Sequence, residues 1–265
     1  MFCTVRDVDA LSLFLSRHPE RHVYELGDLE APFFHDTTWY AWCPDRIEAL
    51  ALLYTGQDPA TLIIIEDTET PAYDSLLAAM LPELPQTLNV HASPRLVSAF
   101  AAQYRTRAHE AHLKMLYMAQ DDEPLNSMQT AVPAGMALRR LEHRDIPALR
   151  ALYEAAYPEN WFDPAMFAHS RYAGIFRGGA LLAAGGTHVY APSRGVAALG
   201  NIATHPDYRG QGLATRVTAA LCTMLSAEVA HIGLNVKATN NAAISVYRRI
   251  GFVDVADYCE LQLHR

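Results

Sequence analysis

The chain has 265 residues, of which 51% are hydrophobic and 19% charged, and its formal net charge at pH 7 is −8. This length and composition predict one large folded domain or two of ordinary size, and they argue against disorder. The acidic balance argues against nucleic-acid binding, because neutralising phosphates requires clustered lysine and arginine. The charged first residues do not fit a signal peptide, and no apolar stretch is long enough to span a membrane. We therefore expect a soluble, cytoplasmic protein that binds neither nucleic acid nor membranes.

The cysteines are few and scattered. They stand at Cys3, Cys43, Cys222 and Cys259, with no Cys-x-x-Cys motif and no histidine at zinc-binding spacing from them. This pattern predicts reduced, buried thiols in a reducing compartment. We expect no metal cofactor.

The N-terminal half alternates apolar runs with turn residues. It predicts helices at residues 9–17, 73–81 and 94–104 and strands at the end of 23–43 and at 47–54, 61–66, 87–91 and 112–118. Residues 121–133 carry a charge run, prolines and polar residues, which indicate a linker. We expect domains at residues 1–125 and 134–265, joined by a linker at 126–133.

The C-terminal half repeats the same order of elements. It predicts strands at 136–141, 172–176, 180–190, 196–203, 232–236 and 252–263, and helices at 145–157, 163–169, 213–226 and 240–250. The triplet Leu88-Asn89-Val90 even recurs as Leu234-Asn235-Val236. The sequence therefore predicts an α/β (α+β) fold of two similar domains, each a mixed, mostly antiparallel sheet flanked by helices.

A glycine-containing turn joins the strand at 196–203 to the helix that begins at Leu213. Its sequence is Arg209-Gly210-Gln211-Gly212. Glycines let a backbone approach a ligand closely, and a helix start offers unpaired N–H groups with a positive dipole end. Such a turn suits a pyrophosphate, although the same residues also fit a tight turn that binds nothing. Neither of two other phosphate motifs fits: the chain has no Walker loop, and Thr215 occupies the third glycine position of a Rossmann fingerprint.

Two motifs in the second half resemble those of a known family. Arg209-x-x-Gly212-x-Ala214 is similar to the acyl-CoA pyrophosphate motif of the GCN5-related N-acetyltransferases (GNAT), and Asn240-x-x-Ala243-Ile244-x-x-Tyr247 resembles the second signature of that family. The resemblance covers residues 134–265 and is nearest to the FR47-like branch. It implies an N-acetyltransferase that moves an acetyl group from acetyl-CoA to a primary amine by direct attack.

The resemblance also implies which residues hold acetyl-CoA. They are the residues of the strand end, the loop and the next signature: Ile202, Ala203, Thr204, Arg209, Gly210, Gln211, Gly212, Leu213, Ala214, Thr215 and Asn240. Asn240 fits equally well as the N-cap of the helix that follows it.

The catalytic groups are less fully specified by the sequence. The resemblance implies Tyr247 as the acid that protonates the departing thiolate, although its helical spacing also fits a core side chain. Many relatives place a glutamate on the central strand, and this chain has none there. Asn201 can orient a water or the amine, and His188 titrates in the right range for a base but also fits a structural role. An ordered water is a further candidate for the base. Residues 157 and 160–162 suggest an aromatic acceptor pocket or core packing.

The joint in the first half that corresponds to the glycine turn has a different chemistry. Residues 67–71 contain no glycine and carry the carboxylates of Asp67 and Glu69, which would repel a pyrophosphate. We expect a degenerate N-terminal domain that shapes the acceptor site or forms a homodimer surface. The resemblance implies a small-molecule or protein amine as the acceptor. Two alternatives stay open: a non-catalytic acyl-CoA sensor and a purely structural module.

Overall fold

The computed structural model describes residues 1–118, 132–158, 160 and 162–265. The chain divides into two compact units. Unit 1 comprises Met1–Lys114, Val236–Thr239 and Asp254–Arg265, and unit 2 comprises Met115–Asn235 and Asn240–Val253. Most of the linker expected at 126–133 lies outside the described residues, and the domain boundaries drawn from the sequence stay a prediction.

Unit 1 is a mixed sheet with helices packed on it. Its strands are β1 (Phe2–Val5), β2 (Thr37–Trp42), β3 (Ala49–Tyr54), β4 (Ala60–Ile64), β5 (Thr87–Ala92), most of β6 (Arg105–Tyr117) and most of β12 (Phe252–His264). Its α-helices are α1 (Val8–Leu15), α2 (Val23–Gly27) and α3 (Pro71–Met80). The strand order is β1-β2-β3-β4-β5-β12-β6. Strands β1 to β4 are antiparallel neighbours, β4 and β5 run parallel, and β12 is antiparallel to β5.

Helix α3 illustrates how the local sequence builds this unit. It begins at Thr70, whose side chain accepts a hydrogen bond from the Ala72 amide, and Pro71 follows at the first helical position. The buried face of the helix, formed by Tyr73, Leu76, Leu77 and Met80, then packs with β-strand side chains in one core cluster.

Unit 2 repeats this arrangement. Its strands are β7 (Met136–Arg140), β8 (Tyr172–Arg177), β9 (Ala180–Ala191), β10 (Val196–Thr204) and the greater part of β11 (His231–Lys237), and its α-helices are α4 (Ile146–Ala156), α5 (Leu213–Ser226) and α6 (Asn241–Ile250). The strand order is β11-β10-β9-β8-β7. Strands β7 to β10 are antiparallel neighbours, and β10 and β11 run parallel. The predicted α/β fold with mixed, mostly antiparallel sheets is confirmed.

Some predicted elements differ in type or extent. The helices expected at 94–104 and 163–169 are 3₁₀ segments, at Pro94–Ala102 and Pro164–His169. Strand β6 begins at Arg105 rather than near residue 112, and its first residues are all exposed. Those residues show no apolar alternation, so the pattern that identifies a half-buried strand is missing there. Within the described parts of the chain, no helix combines the length and apolar character needed to cross a membrane.

Candidate active site

The parallel strand pair at the centre of unit 2 separates part-way along its length. Strands β10 and β11 pair from Val196↔His231 to Leu199↔Leu234, and β10 then continues to Thr204 without this partner. In unit 1 the corresponding strands, β4 and β5, stay paired to Ile64↔Ala92, and the Ser93 amide donates to the Ile64 carbonyl just beyond. A gap between two strands leaves backbone groups that a bound molecule can pair with, so unit 2 offers such a site and unit 1 does not.

Two buried oxygen atoms lie on the separated strand ends of unit 2. They are Oγ1 of Thr204 and Oδ1 of Asn235, and neither has a hydrogen-bond partner among the described residues. Buried polar atoms are normally satisfied, so these two oxygens can accept a hydrogen bond from a ligand or a water between the strand ends.

Strand β10 carries an irregularity at Asn201. This residue has a φ of +52° and is the one non-glycine with positive φ among the described residues. The register with β9 shifts around it, since Gly200 pairs with Gly186 and Ala203 with Ala184, which leaves one extra residue on β10. A bulge of this kind redirects the strand and its side chains, and bulges are common beside active sites.

His188 is the extra residue of a second bulge, on the neighbouring strand β9. Ala198 pairs with Val189 and Leu199 pairs with Thr187, so His188 has no partner residue on β10. Its ring lies over Gly200, where an added Cβ would stand 2.4 Å from the imidazole Nε2. A glycine is therefore required at position 200 for the ring to lie where it does.

The Asn201 side chain joins these parts into one network. It is hydrogen-bonded to both His188 and Tyr172. The backbone carbonyl of Asn201 accepts a hydrogen bond of 2.8 Å from the phenol of Tyr153 on α4. The bulge is thus fixed by side chains from β8, β9 and α4.

The titration of these groups follows from their surroundings. His188 as a whole residue is exposed to solvent, but protein surrounds its ring. Because these surroundings desolvate the imidazolium form, they lower the pKa of His188, and the hydrogen bond with Asn201 opposes this shift. Burial likewise raises the pKa of Tyr172, and it raises that of Tyr153 well above the ordinary phenol value. At neutral pH the site therefore holds a neutral imidazole beside two protonated phenols.

The glycine turn opens helix α5 in a conformation that only glycine adopts easily. Gly210 and Gly212 have φ values of +75° and +70°, and Gly212 is the N-cap of the helix. No side chain caps this end of α5, so the first amides are left for another acceptor. Helix α5 thus provides the uncapped, glycine-led start that the sequence predicts for residues 209–215.

Two arginines surround this turn. Arg209 donates through Nε to the Thr204 carbonyl at 3.4 Å and through an Nη to the Ala156 carbonyl at 3.3 Å. Arg216 donates through Nη1 to the carbonyls of Gln211 and Gly212, at 3.2 and 3.0 Å. Arg216 is not among the residues predicted from the sequence, although its position four residues after Gly212, one turn along the helix, is a signal for it.

Helix α6 carries the two remaining predicted residues. Asn240 is its N-cap, and its side-chain oxygen accepts a hydrogen bond from the Ala243 amide at 3.1 Å. Tyr247 is partly buried with its ring 5.9 Å from that of Phe252. Burial, together with the nearby phenol of Tyr157, raises the pKa of Tyr247. The geometry thus shows the capping contact of Asn240 and a core contact of Tyr247 while leaving that phenol protonated at neutral pH.

The aromatic residues expected at the acceptor pocket have separate roles. Phe162 packs in a core cluster of unit 2, with its ring 5.5 Å from Tyr153 and 5.7 Å from Tyr172. Tyr157 is 43% exposed, and its carbonyl accepts a hydrogen bond from the Asn160 side chain. Trp161 lies outside the described residues. Of the two predicted aromatic residues that the structure describes, Tyr157 is therefore the one with a largely exposed side chain.

The joint in unit 1 is filled by ion pairs. Asp67 is buried and meets Nε2 of His22 at 2.5 Å and a guanidinium nitrogen of Arg17 at 2.8 Å. Glu66, also buried, meets Arg95 at 2.6 Å. These carboxylates occupy the place at which unit 2 has glycines, and a pyrophosphate would have to displace them from their cations.

Comparison with known proteins agrees with this geometry. The sequence model of the acetyltransferase (GNAT) family matches residues 137–252, a little under half of the chain. No curated protein sequence matches.

Solved structures show the same fold over nearly the whole chain. A protein from Drosophila melanogaster has a TM-score of 0.69 and 14% identity, covering 99% of this chain and 98% of its own. A tandem GNAT protein from the clavulanic acid biosynthesis pathway has a TM-score of 0.62 and 17% identity, covering 99% and 97%. A GCN5-related N-acetyltransferase from Sphaerobacter thermophilus has a TM-score of 0.59 and 14% identity, covering 99% and 94%. The chain therefore has the fold of the GNAT acetyltransferases, and the family match supports acyl transfer from CoA in general terms.

Proposed function

We propose that this chain is an N-acetyltransferase that takes its acyl group from acetyl-CoA and passes it to a primary amine in unit 2. The observation that carries the proposal is the separation of β10 from β11 directly beside the uncapped, glycine-led start of α5. Together these features provide open backbone groups for an extended chain and amides for a diphosphate.

The residues present fit CoA. The positive φ values of Gly210 and Gly212 turn the backbone so that the first amides of α5 face one diphosphate, and Arg209 and Arg216 add positive charge beside it. The strand end at Ile202, Ala203 and Thr204 would pair with the pantetheine arm, and an amide of this stretch would polarise the thioester carbonyl. Asn240 keeps its capping role at α6 and lies at the corresponding signature position.

The proposed chemistry is direct attack of the amine on the thioester carbon. The C–N bond forms and the C–S bond breaks, Tyr247 donates its phenolic proton to the departing thiolate, and the amine gives up its proton to His188, directly or through a water held by Asn201. A phenol with a raised pKa is fully protonated at neutral pH, and an imidazole with a lowered pKa is neutral and able to accept.

We further propose that unit 1 has kept the fold and lost the cofactor site. The full pairing of β4 with β5 and the buried ion pairs of Glu66 and Asp67 support this assignment. The FR47-like branch, the cytoplasmic location, a homodimer and the choice between small-molecule and protein amines stay predictions. An acidic chain mildly favours a cationic acceptor.

The proposal is tested by thiol release from acetyl-CoA across a panel of amines, with Tyr247→Phe as the comparison. We expect turnover on at least one amine and a loss of about 10²-fold or more in kcat for the variant, with CoA binding retained.

In a thermal denaturation series, CoA at a hundred times its Kd should stabilise the fold by about 2.7 kcal/mol. Binding without turnover on any amine would favour a non-catalytic sensor, for which the absence of a carboxylate on β10 is the supporting observation. The absence of both binding and turnover would overturn the proposal.

A further inference from the structure

A second cluster of titratable side chains lies in unit 1, on residues that the proposed acyl transfer does not use. Glu110 and His112 stand two residues apart on β6, and Glu260 lies on the neighbouring strand β12. One side-chain oxygen or nitrogen from each of the three lies within 4.8 Å of the others. On the far side of β12, His91 of β5 is directly opposite Glu260 in the strand register.

The distances in this cluster do not suit direct hydrogen bonds. Nε2 of His112 is 3.6 Å from Oε1 of Glu260, and Nε2 of His91 is also 3.6 Å from the same oxygen. An N–H···O bond is about 2.7–3.2 Å long. Two ligands bound to one tetrahedral zinc ion at about 2.0–2.2 Å lie roughly 3.4 Å apart. The spacing therefore matches a pair of metal ligands better than a hydrogen-bonded pair.

The orientation of His112 points to the same conclusion. Its Nδ1 lies 3.4 Å from the backbone carbonyl of Glu110, and its Nε2 is the ring nitrogen that faces the Glu260 carboxylate. His112 is only 6% exposed. The imidazole nitrogen and the carboxylate oxygen that face each other here are both atom types that bind transition-metal ions.

The surroundings can support a bound cation. The Tyr258 phenol donates a hydrogen bond of 2.8 Å to Oε1 of Glu260 and orients that carboxylate, as residues around metal ligands commonly do. Glu110 is held by Lys237 at 2.8 Å, but both side chains are about half exposed, and an exposed ion pair of this kind contributes little and rearranges easily. The other nearby cation, Lys114, is 3.7 Å from the carboxylate of Glu25.

We propose that Glu110, His112 and Glu260 bind a divalent transition-metal ion, with Zn²⁺ as the best fit. One imidazole with two carboxylates suits Zn²⁺ better than Mg²⁺ or Ca²⁺, which prefer a shell of oxygen atoms alone. Because the ligands come from two strands of unit 1, the ion would tie β12 to β6 and so stabilise the end of the chain within this unit. This site is independent of the acyl transfer proposed for unit 2.

The test uses the full chain without an affinity tag, stripped with a chelator and titrated with ZnCl₂ in a calorimeter and with CoCl₂ in a visible spectrometer. We expect one Zn²⁺ per chain, a rise in Tm with zinc and a Co²⁺ spectrum of low coordination number. His112→Gln and Glu260→Gln should each weaken zinc binding at least about 100-fold.

The matched control is His109→Gln, which removes an exposed histidine of the same strand and should leave zinc affinity unchanged. Because His112 is buried, its variant is paired with Glu110→Gln, at an exposed position where unfolding is not expected. The proposal is overturned by the absence of stoichiometric zinc binding. It is equally overturned by binding that persists in both the Glu110 and the Glu260 variants.

Discussion

The phenol of Tyr153 donates a 2.8 Å hydrogen bond to the backbone carbonyl of Asn201, at the one described non-glycine residue with positive φ. Tyr153 is 2% exposed, so water cannot take over this contact. A helix side chain thus holds the bulged strand in the shape that separates it from β11 and presents the Asn201 side chain to His188.

We predict that Tyr153→Phe impairs acyl transfer more than it impairs folding. Leaving a buried carbonyl without a donor costs about 1–3 kcal/mol, and the bulge is free to relax. Measured as kcat/KM, the loss should be at least about tenfold. Tyr104→Phe is the matched control, because Tyr104 also donates to a backbone carbonyl, that of Pro85, in unit 1. Equal kinetic losses in the two variants would contradict the role assigned to Tyr153.

Gly212→Glu should abolish CoA binding while the chain stays folded. A carboxylate at the N-cap of α5 repels the diphosphate, and a side chain at this positive φ costs about 1–2 kcal/mol. Calorimetric titration with CoA should show at least about a 100-fold loss of affinity. Gly135→Glu is the control for the positive φ, which is +77° there; an added Cβ at Gly135 meets no described atom within 4 Å, whereas one at Gly212 would stand 2.7 Å from Nη1 of Arg216. That control should bind CoA normally, and unchanged affinity in Gly212→Glu would refute the location of the site.

The pH dependence of turnover should report His188. Desolvation holds its pKa below the ordinary value of 6.5, so the neutral, proton-accepting form dominates above that pH. We expect kcat/KM to rise with pH through a pKa below 6.5 and then to level off. His188→Gln should remove this rising limb of the pH profile and lower kcat/KM by about 10²-fold. His231→Gln, at the other end of the β10–β11 pairing, should keep the limb. A limb that survives in His188→Gln would assign the base to another group.

The stability of the chain should depend on pH through Asp28. Burial, with Glu25 nearby, raises the pKa of this carboxyl to about 8, and Lys114 opposes the shift. The folded state therefore holds the proton more tightly than the unfolded state, whose pKa is about 3.9, and stability falls as the pH rises between these values. Asp28→Asn should raise Tm by an amount that grows from pH 5 to pH 8 and reaches at least roughly 2–4 °C.

Asp45→Asn serves as the control for this series, because Asp45 is exposed. Its Tm should follow that of the wild type in parallel across the same pH range. A gain for Asp28→Asn that is constant with pH would show that the carboxyl does not titrate in this interval.

The parts of the site that could be predicted from sequence are those formed by neighbours in the chain. Strand β10, the Gly210 and Gly212 turn and helix α5 follow one another, so apolar periodicity and turn chemistry identify each of them. The helix cap at Asn240 is local in the same sense, and it appears as expected.

The remainder depends on residues that meet only in the folded chain. Tyr153 lies 48 positions before Asn201, and no pattern within either segment indicates that they touch. Gly200 does not lie in a turn, so its sequence context gives no reason for a glycine. The reason appears only in the folded chain, where the His188 ring lies over Gly200. The cluster of Glu110, His112 and Glu260 escapes a search for metal motifs because its ligands come from distant segments on adjacent strands.

The last strand has a consequence for the integrity of the whole polypeptide. Residues Cys259 to His264 of β12 pair with β5, opposite residues 92 to 87, within unit 1. A protease cut between the two halves, followed by loss of the C-terminal piece, would strip β5 of this neighbour and expose a bare sheet edge, which invites aggregation. We therefore expect that an N-terminal fragment left by such a cut does not accumulate as a stable protein.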